Sequence, residues 1–191
     1  QIKQVVCGEN NIFVLMKDGS VWGIGENDAK LISQSKQKMY YKFTKIIVSG
    51  VKQITASDEN VAMIKKDQTL WVWGRSLHSS QKGYSTTPRK IAKNVVEASL
   101  STAWGGGTHH SILVYLKKNH KAYGMGYNQS NAFGNQYKNG WQNKPVLLMK
   151  NVKHVYAVTD ATLLLTRKHE LYWSGKQQWY GGYGEVNKFV K

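Results

Sequence analysis

Residues 60–74 read NVAMIKKDQTLWVWG, a pattern typical of one β-hairpin. In the first half Val61 and Met63 would face away from Ala62 and Ile64. In the second half Leu70 and Val72 would lie on one face, with Trp71 and Trp73 on the other. Alternation with β-branched and aromatic residues indicates strands. Residues 66–69 lie between the halves and have the composition of a turn, and Gly74 ends the unit. This stretch therefore predicts two short antiparallel strands joined by a tight turn.

The same pattern occurs four times along the chain. The units end near glycines that are 49, 52 and 49 residues apart: Gly25, Gly74, Gly126 and Gly175. A period near 50 residues is typical of arrays and propellers. Two further short strands accompany each hairpin, which is the strand content of a propeller blade. We therefore predict an all-β fold: a β-propeller of four roughly 50-residue, four-stranded blades in one repeat domain, 1–191. The blades could form a closed four-bladed ring or part of a larger or oligomeric ring.

The order of the strands is offset at the chain ends. The spacing assigns the segment that opens at Ile2 to the second strand of a unit. Residues 186–191 are then an additional first strand, predicted to close the ring. They would pair with the blade opened at Ile2 or with its counterpart in a homo-oligomer, which would hide both sheet edges. In the first hairpin, Asp18-Gly19 supplies a residue pair suited to positive φ.

The composition indicates a strongly basic protein. The net charge is +16, and 27 Lys and Arg residues stand against 11 Asp and Glu residues. Such a chain is attracted to acidic proteins, nucleic acid or other anionic polymers. Lysine outnumbers arginine, which disfavours specific reading of bases. Cys7 is the only cysteine, so no disulfide within the chain can form. No apolar run is long enough for a membrane span, and no signal peptide is recognisable, so the compartment stays unknown.

Aromatic residues fall into two groups. One group lies on the repeat's own strands and is expected to pack in the core or between blades: Trp22, Trp71, Trp73, Tyr123, Tyr172 and Trp173. The other lies outside the hairpins and is expected to contribute to a binding face: Trp104, Tyr127, Trp141, Trp179 and Tyr180. Lys117, Lys118 and Lys121 could group on one rim and add positive charge to that face.

The sequence contains no convincing catalytic or metal-binding motif. Adjacent His109 and His110 point to opposite faces of a strand, so they do not readily bind one metal. Cys7 aligns with alanines of the other units, which predicts a small buried residue. There is no P-loop, nucleophile elbow or zinc-protease signature. We therefore expect no enzyme activity, no metal and no cofactor.

The four units resemble the regulator-of-chromosome-condensation (RCC) repeat. Residues 17–22 (KDGSVW) and 70–74 (LWVWG) match its turn and its Trp-Gly strand, and residues 126–134 (GYNQSNAFG) match its glycine-bounded loop. His110 and Ser111 match its His-Ser step, whereas Asn11, Asn60 and Ala161 replace that histidine. The resemblance covers nearly the whole chain and implies a β-propeller that binds a protein through loops on one ring face.

Three functions remain open at this point. The first is a non-enzymatic propeller scaffold that binds an acidic protein through loop aromatics, with lysines steering the encounter. The second is binding of nucleic acid or another anionic polymer through the basic surface. The third is binding of carbohydrate or cell wall through the loop aromatics.

Overall fold

A computed structural model of the chain describes residues 1–75, 77–78, 84–105, 108–128, 130–179 and 182–191. The described residues form sixteen strands in four antiparallel four-stranded sheets, here called blades 1 to 4. Blade 1 contains β1 (Ile2–Cys7), β2 (Asn11–Met16), β3 (Val21–Glu26) and β4 (Met39–Ile47). Blade 2 contains β5 (Val51–Ala56), β6 (Asn60–Lys65), β7 (Leu70–Arg75) and β8 (Tyr84–Ala92). Blade 3 contains β9 (Val95–Gly105), β10 (Thr108–Lys117), β11 (Ala122–Tyr127) and β12 (Trp141–Met149). Blade 4 contains β13 (Val152–Val158), β14 (Ala161–Thr166), β15 (Leu171–Trp179) and β16 (Gly182–Val190).

Each blade is a meander in which consecutive strands are neighbours. This arrangement confirms the predicted four blades of four strands. The assignment of individual strands to blades, however, differs from the prediction. Residues 186–190 lie in β16, which pairs with β15 through Gly175↔Val186 and Trp173↔Val190. The prediction that they pair with the blade opened at Ile2 is therefore wrong, since β1 is the first strand of its own blade. Period-two alternation identifies a strand but not the neighbour with which it pairs. The sequence alone therefore does not show to which blade residues 186–190 belong.

The central hairpin of each blade has a three-residue turn. In blade 1 the Gly19 N–H donates to the Met16 carbonyl (3.0 Å), and the Met16 N–H donates to the Ser20 carbonyl (2.9 Å). Only the third turn residue has positive φ: Gly19, Gln68, His120 and His169 in blades 1 to 4. This is a type I turn followed by a left-handed residue. The expectation of a positive-φ pair at Asp18-Gly19 is thus half right.

A steric restriction explains the glycine at the end of each repeat. Gly126 has φ +115°, and a Cβ built there would lie 2.3 Å from the Ser111 carbonyl oxygen. The corresponding Gly25, Gly74 and Gly175 also have positive φ and the same kind of backbone approach. Only glycine fits where the third strand passes the start of the second.

The chain divides into two compact units, each described by itself. Residues 1–76 and 82–95 form unit 1, and residues 77–81 and 96–191 form unit 2. The prediction of one repeat domain over 1–191 stays a prediction.

Unit 1 has a core drawn from blades 1 and 2. Its buried side chains include Phe13, Leu15, Leu31, Ile54 and Trp73. The Trp73 Nε1 donates to the Leu31 carbonyl (2.9 Å), so a loop of blade 1 is attached to β7. The core of unit 2 comes from blades 3 and 4, and its buried members are Ile112, Val114, Leu116, Ala122, Ala132, Phe133, Leu148, Val152, Val155 and Leu164.

A polar side chain of the first strand helps to connect neighbouring blades within each unit. The Gln4 carboxamide donates to the Ile54 carbonyl (2.8 Å) and accepts from the Ile54 N–H (3.0 Å). In unit 2 the equivalent residue is Glu97, whose carboxylate accepts from the Val155 N–H (3.4 Å) and lies 3.0 Å from His154 Nδ1. Polar side chains at the same place in the first strand therefore complete the backbone hydrogen bonding of the next blade.

The strand aromatics do not all occupy the core. Trp73 is 2% exposed, as predicted. Trp22 is only half-buried, and Lys45 Nζ lies 4.7 Å from its ring centroid. Trp71 packs against the core of unit 1 and has Lys65 Nζ 4.8 Å above its ring. Lys45 and Lys65 thus lie over the indole rings of Trp22 and Trp71. Part of the positive charge of the chain is therefore placed on aromatic faces.

Candidate partner-binding site

Two of the predicted binding aromatics lie together on blade 3. Tyr127 ends β11, Trp141 begins β12, and the two residues are directly paired in the sheet. Their ring centroids are 5.2 Å apart at an interplanar angle of 61°. Opposed aromatic residues on adjacent strands contact each other because their Cβ atoms are close. Both side chains are half-buried, so solvent reaches part of each ring.

His110 completes a cluster of three rings. Its centroid lies 4.3 Å from that of Tyr127 and 5.1 Å from that of Trp141. His110, Tyr127 and Trp141 are here called the aromatic cluster. From the sequence, His110 is a weak metal candidate and a match to the His-Ser step of the repeat, and neither interpretation predicts this packing role. Its place two residues before Ile112, which pairs with Gly126, is the signal that could have indicated it.

The loop after the cluster is organised by a buried asparagine. Asn128 is 0% exposed, and its Oδ1 accepts from the Phe133 N–H (2.8 Å). Its backbone N–H donates to the Gly140 carbonyl (2.7 Å), which closes the loop. Phe133, also 0% exposed, packs against Gly124, where any Cβ would lie 2.6 Å from the ring. The hydrogen bonds of Asn128 thus connect the two ends of the loop that leads from Tyr127 to Trp141.

Blade 1 uses the same arrangement. Asn27 is 0% exposed, and its Oδ1 accepts from the N–H groups of Ile32 (2.9 Å) and Ser33 (3.0 Å). Asn27 and Asn128 are not among the residues that the sequence motifs predict to be structural. The recurrence of Gly-x-Asn at 25–27 and 126–128 is the signal that could have identified them.

The three predicted site lysines lie at the other end of β11. Lys117 Nζ is 5.1 Å from the ring centroid of Tyr123, and Lys121 precedes Ala122, the first residue of the strand. Lys118 is exposed in the turn between β10 and β11. Since a strand rises about 3.3 Å per residue, Lys121 and Tyr127 are about 20 Å apart along the backbone. The predicted single face is therefore two separate surfaces of blade 3.

The remaining predicted aromatics cannot be placed in either surface. Trp104 and Trp179 belong to β9 and β15, but their side chains lie outside the described part of the structure. Tyr180 lies outside the described residues altogether.

The position of the Tyr127–Trp141 pair differs in chemistry from blade to blade. The equivalent backbone pairs are Glu26↔Met39, Arg75↔Tyr84 and Lys176↔Glu185. In blade 2, Arg75 Nη1 lies 3.0 Å from Glu59 Oε1, and the Tyr84 hydroxyl donates to the same oxygen (3.0 Å). Burial, and then the Glu59 charge, raises the pKa of Tyr84. The turn geometry and the apolar character of the core positions are the same from blade to blade, whereas the residue types at this strand end differ.

The remaining chemical features give no second site. Among the described residues, no group of three or more His, Cys, Asp or Glu side chains is placed to hold a metal. Cys7 is exposed, so the prediction of a buried thiol is wrong: it lies on β1, an edge strand. The described chain also contains no helix with the length and hydropathy to cross a membrane.

Comparison with known proteins supports the repeat assignment. Residues 2–29 match the family model of the regulator of chromosome condensation (RCC1) repeat. This match confirms the resemblance that the sequence motifs indicate. No curated protein sequence matches the chain.

Three solved structures have the same fold over 100% of this chain. They are human WBSCR16 (TM-score 0.77, 19% identity, 52% of that chain), yeast RCC1 (Prp20) bound to Kap60 (0.76, 19%, 49%) and Prp20p from Saccharomyces cerevisiae (0.78, 16%, 50%). The last has described binding properties to Gsp1p and histones. The chain thus spans about half the length of the structures it matches, and its blades are of the RCC1 propeller type.

Proposed function

We propose that this chain is a non-enzymatic propeller scaffold that binds an acidic protein, with the aromatic cluster of blade 3 as its main contact. The observation that carries the proposal is the Tyr127–Trp141 pair, half-buried at a strand end whose chemistry changes in every blade. Repeat arrays commonly bind through positions that diverge while the framework repeats.

The geometry of the cluster suits a protein contact. Half-buried aromatic rings that are already packed lose little conformational freedom when a partner covers them. Tryptophan and tyrosine are the side chains most enriched at energetically dominant positions of interfaces. Both rings are fixed here by His110 and by the loop that Asn128 closes.

Two further facts support a protein partner of acidic character. Solved propellers of this type have protein partners, as the yeast RCC1 complex with Kap60 illustrates. The net charge of +16 favours an acidic surface, because opposite charges accelerate the encounter. Salt should then slow association more than it speeds dissociation.

The test is quantitative capture from the native source with the immobilised chain. Trp141→Ala and Tyr127→Ala should each reduce the captured partner at least tenfold, since truncation at the centre of an interface costs about 2 kcal/mol or more. Tyr41→Ala is the matched control: Tyr41 is 84% exposed on β4 and belongs to no cluster. Equal capture by all variants would refute the aromatic cluster as the contact.

Binding of nucleic acid or another anionic polymer is the second candidate, supported by the same net charge. It predicts that affinity for a single-stranded oligonucleotide falls steeply with salt in a log–log plot. A flat response would exclude it. Carbohydrate binding through the aromatics is the third candidate, and a glycan array with wild type and Trp141→Ala tests it.

A further inference from the structure

A cleft of about 570 Å³ lies within unit 2, at the opposite end of blade 3 from the aromatic cluster. Five of its lining side chains are basic or imidazole: Lys118, His120, Lys153, Arg167 and His169. Val96 and Leu116 line the rest. All five polar residues are solvent-exposed, and the volume is within the roughly 300–1,000 Å³ of small-ligand sites. This set of residues is here called the basic cleft.

Backbone hydrogen bonds fix the three segments that supply these side chains. The Val152 N–H donates to the His120 carbonyl (3.0 Å), which joins β13 to the β10–β11 turn. The Arg167 N–H donates to the Asn151 carbonyl (2.8 Å), which joins the β14–β15 turn to the start of β13. The cleft is therefore built on a framework of strands and tight turns.

A β-bulge places Lys153. The register of β13 against β14 shifts between Val152 and His154, so Lys153 is the extra residue. Bulges redirect side chains, often beside functional sites. Lys153 Nζ lies 3.4 Å from His169 Nε2. A lysine ammonium group can only donate hydrogen bonds, whereas an imidazole nitrogen can donate or accept according to its tautomer.

Both histidines occupy a backbone conformation that disfavours them. His120 has φ 61° and His169 has φ 64°, whereas blade 1 has Gly19 at the same turn position. A non-glycine residue in this region carries a strain of about 1 kcal/mol or more. The two turns that line the cleft thus hold imidazoles where glycine would be unstrained.

Among the described residues, no carboxylate forms an ion pair with a Lys or Arg of the cleft. In the described part of the chain the ion pairs are Arg75–Glu59, His154–Glu97 and Lys191–Glu170, and none involves Lys118, Lys153 or Arg167. Three uncompensated cations around an aliphatic wall suit a ligand with two negative charges and several acceptor oxygens. The Arg167 guanidinium can also bind two oxygens of one such group.

We propose that the basic cleft binds the phosphate group of a phosphorylated serine or threonine side chain on a peptide. A phosphomonoester carries about −1.5 to −2 charge and three acceptor oxygens, which matches the cations and imidazole N–H groups present. Nucleic acid is the less suitable source, because its bases stack on aromatic rings and none of the described lining residues is Trp, Tyr or Phe. This binding goes beyond the proposed aromatic contact, and either can fail without the other.

The experiment uses the whole chain with histidines labelled for NMR. The probes are N-acetyl-phosphoserine N-methylamide, its serine parent and the oligonucleotide dT10. The phosphoserine amide should shift the imidazole signals of His120 and His169, and the serine parent should not. The double variant Lys153→Ala/Arg167→Ala should weaken phosphoserine binding at least tenfold.

Unit 1 provides a control matched in charge and in repeat position. Lys52 is the bulge residue of β5, and Lys66 opens the β6–β7 turn, as Lys153 and Arg167 do in blade 4. In place of His169 that turn has Gln68. Lys52→Ala/Lys66→Ala should therefore leave the affinity within twofold of wild type.

Three results would overturn the proposal. The first is an equal loss of affinity in both double variants, which would mean that only net charge matters. The second is equal binding of the serine parent. The third is tighter binding of dT10 than of the phosphoserine amide, with dT10 binding abolished by the cleft variant, which would assign the cleft to nucleic acid. The shifts of His120 and His169 in the unmutated chain keep the test valid if a variant fails to fold.

Discussion

Tyr127 and Trp141 are directly opposed on β11 and β12, and their rings pack edge to face with centroids 5.2 Å apart. The pair is half-buried, and so its contact contributes to the stability of blade 3 as well as forming a surface. Stability and binding measurements on the same variants can separate these two roles.

The first prediction concerns this contact in the absence of any partner. A double-mutant cycle with Tyr127→Ala and Trp141→Ala should give a coupling free energy of about 0.5–1.5 kcal/mol, because edge-to-face rings attract each other beyond simple burial. Urea unfolding of the four proteins measures it. Strict additivity would show that the two rings are neighbours without mutual stabilisation.

The second prediction concerns the loop that Asn128 closes. Asn128→Ala should lower the free energy of unfolding by about 2–3 kcal/mol, because the Phe133 N–H loses its buried acceptor. Asn119→Ala is the matched control, since Asn119 is exposed in a turn, and its effect should stay within about 0.5 kcal/mol. Similar effects of the two substitutions, by urea unfolding, would contradict the structural role of Asn128.

The third prediction concerns the left-handed histidines. His120→Gly and His169→Gly should each raise the free energy of unfolding by up to about 1 kcal/mol, because glycine adopts positive φ without steric cost. The same variants should lose affinity for the phosphoserine amide. A destabilised His120→Gly protein would show that the imidazole makes contacts worth more than the strain.

The fourth prediction concerns the acid side of the stability curve. In blades 1 and 2, hydrogen bonds from Ser20 and from Thr69 hold the pKa of Asp18 and of Asp67 below the ordinary aspartate value. A folded pKa below the unfolded one means that each carboxylate adds stability above the unfolded value, near 3.9. That stability is lost as the pH falls through the folded pKa.

Asp18→Asn and Asp67→Asn should therefore lower the melting temperature at pH 7 and flatten its fall between pH 5 and pH 2. Asp28→Asn, at an exposed position of the loop after β3, serves as the control. If all three variants kept the wild-type acid dependence, the turn hydrogen bonds would not be the cause.

Much of the fold could be predicted from sequence because its decisive features are local. Period-two alternation and the glycine at the end of each third strand depend on nearby backbone, and Gly126 and its counterparts meet a carbonyl oxygen of their own hairpin. The assignment of residues 186–190 is wrong because the periodicity of a strand does not distinguish pairing with β15, next to it in sequence, from pairing with the blade opened at Ile2. Sequence spacing is the same whether β16 follows β15 or precedes β1.

The candidate site was predicted only in part, for a related reason. Tyr127 and Trp141 were identified because they depart from the repeat, and the register then brought them together. Lys117, Lys118 and Lys121 were assigned to the same face because they are close in sequence, but the length of β11 separates them from Tyr127. The five polar residues of the basic cleft come from three segments of unit 2, and no local sequence pattern indicates that they converge.

The left-handed residue of the hairpin turn accepts a hydrogen bond from the next blade through its backbone carbonyl. Within unit 1 the Val51 N–H donates to the Gly19 carbonyl, and within unit 2 the Val152 N–H donates to the His120 carbonyl. Because the link uses no side-chain atom, its residue can change without breaking the connection between blades. Such a position is free to drift during evolution and to acquire new chemistry at the cost of a small strain, which makes it a natural place for a duplicated blade to diverge from its parent.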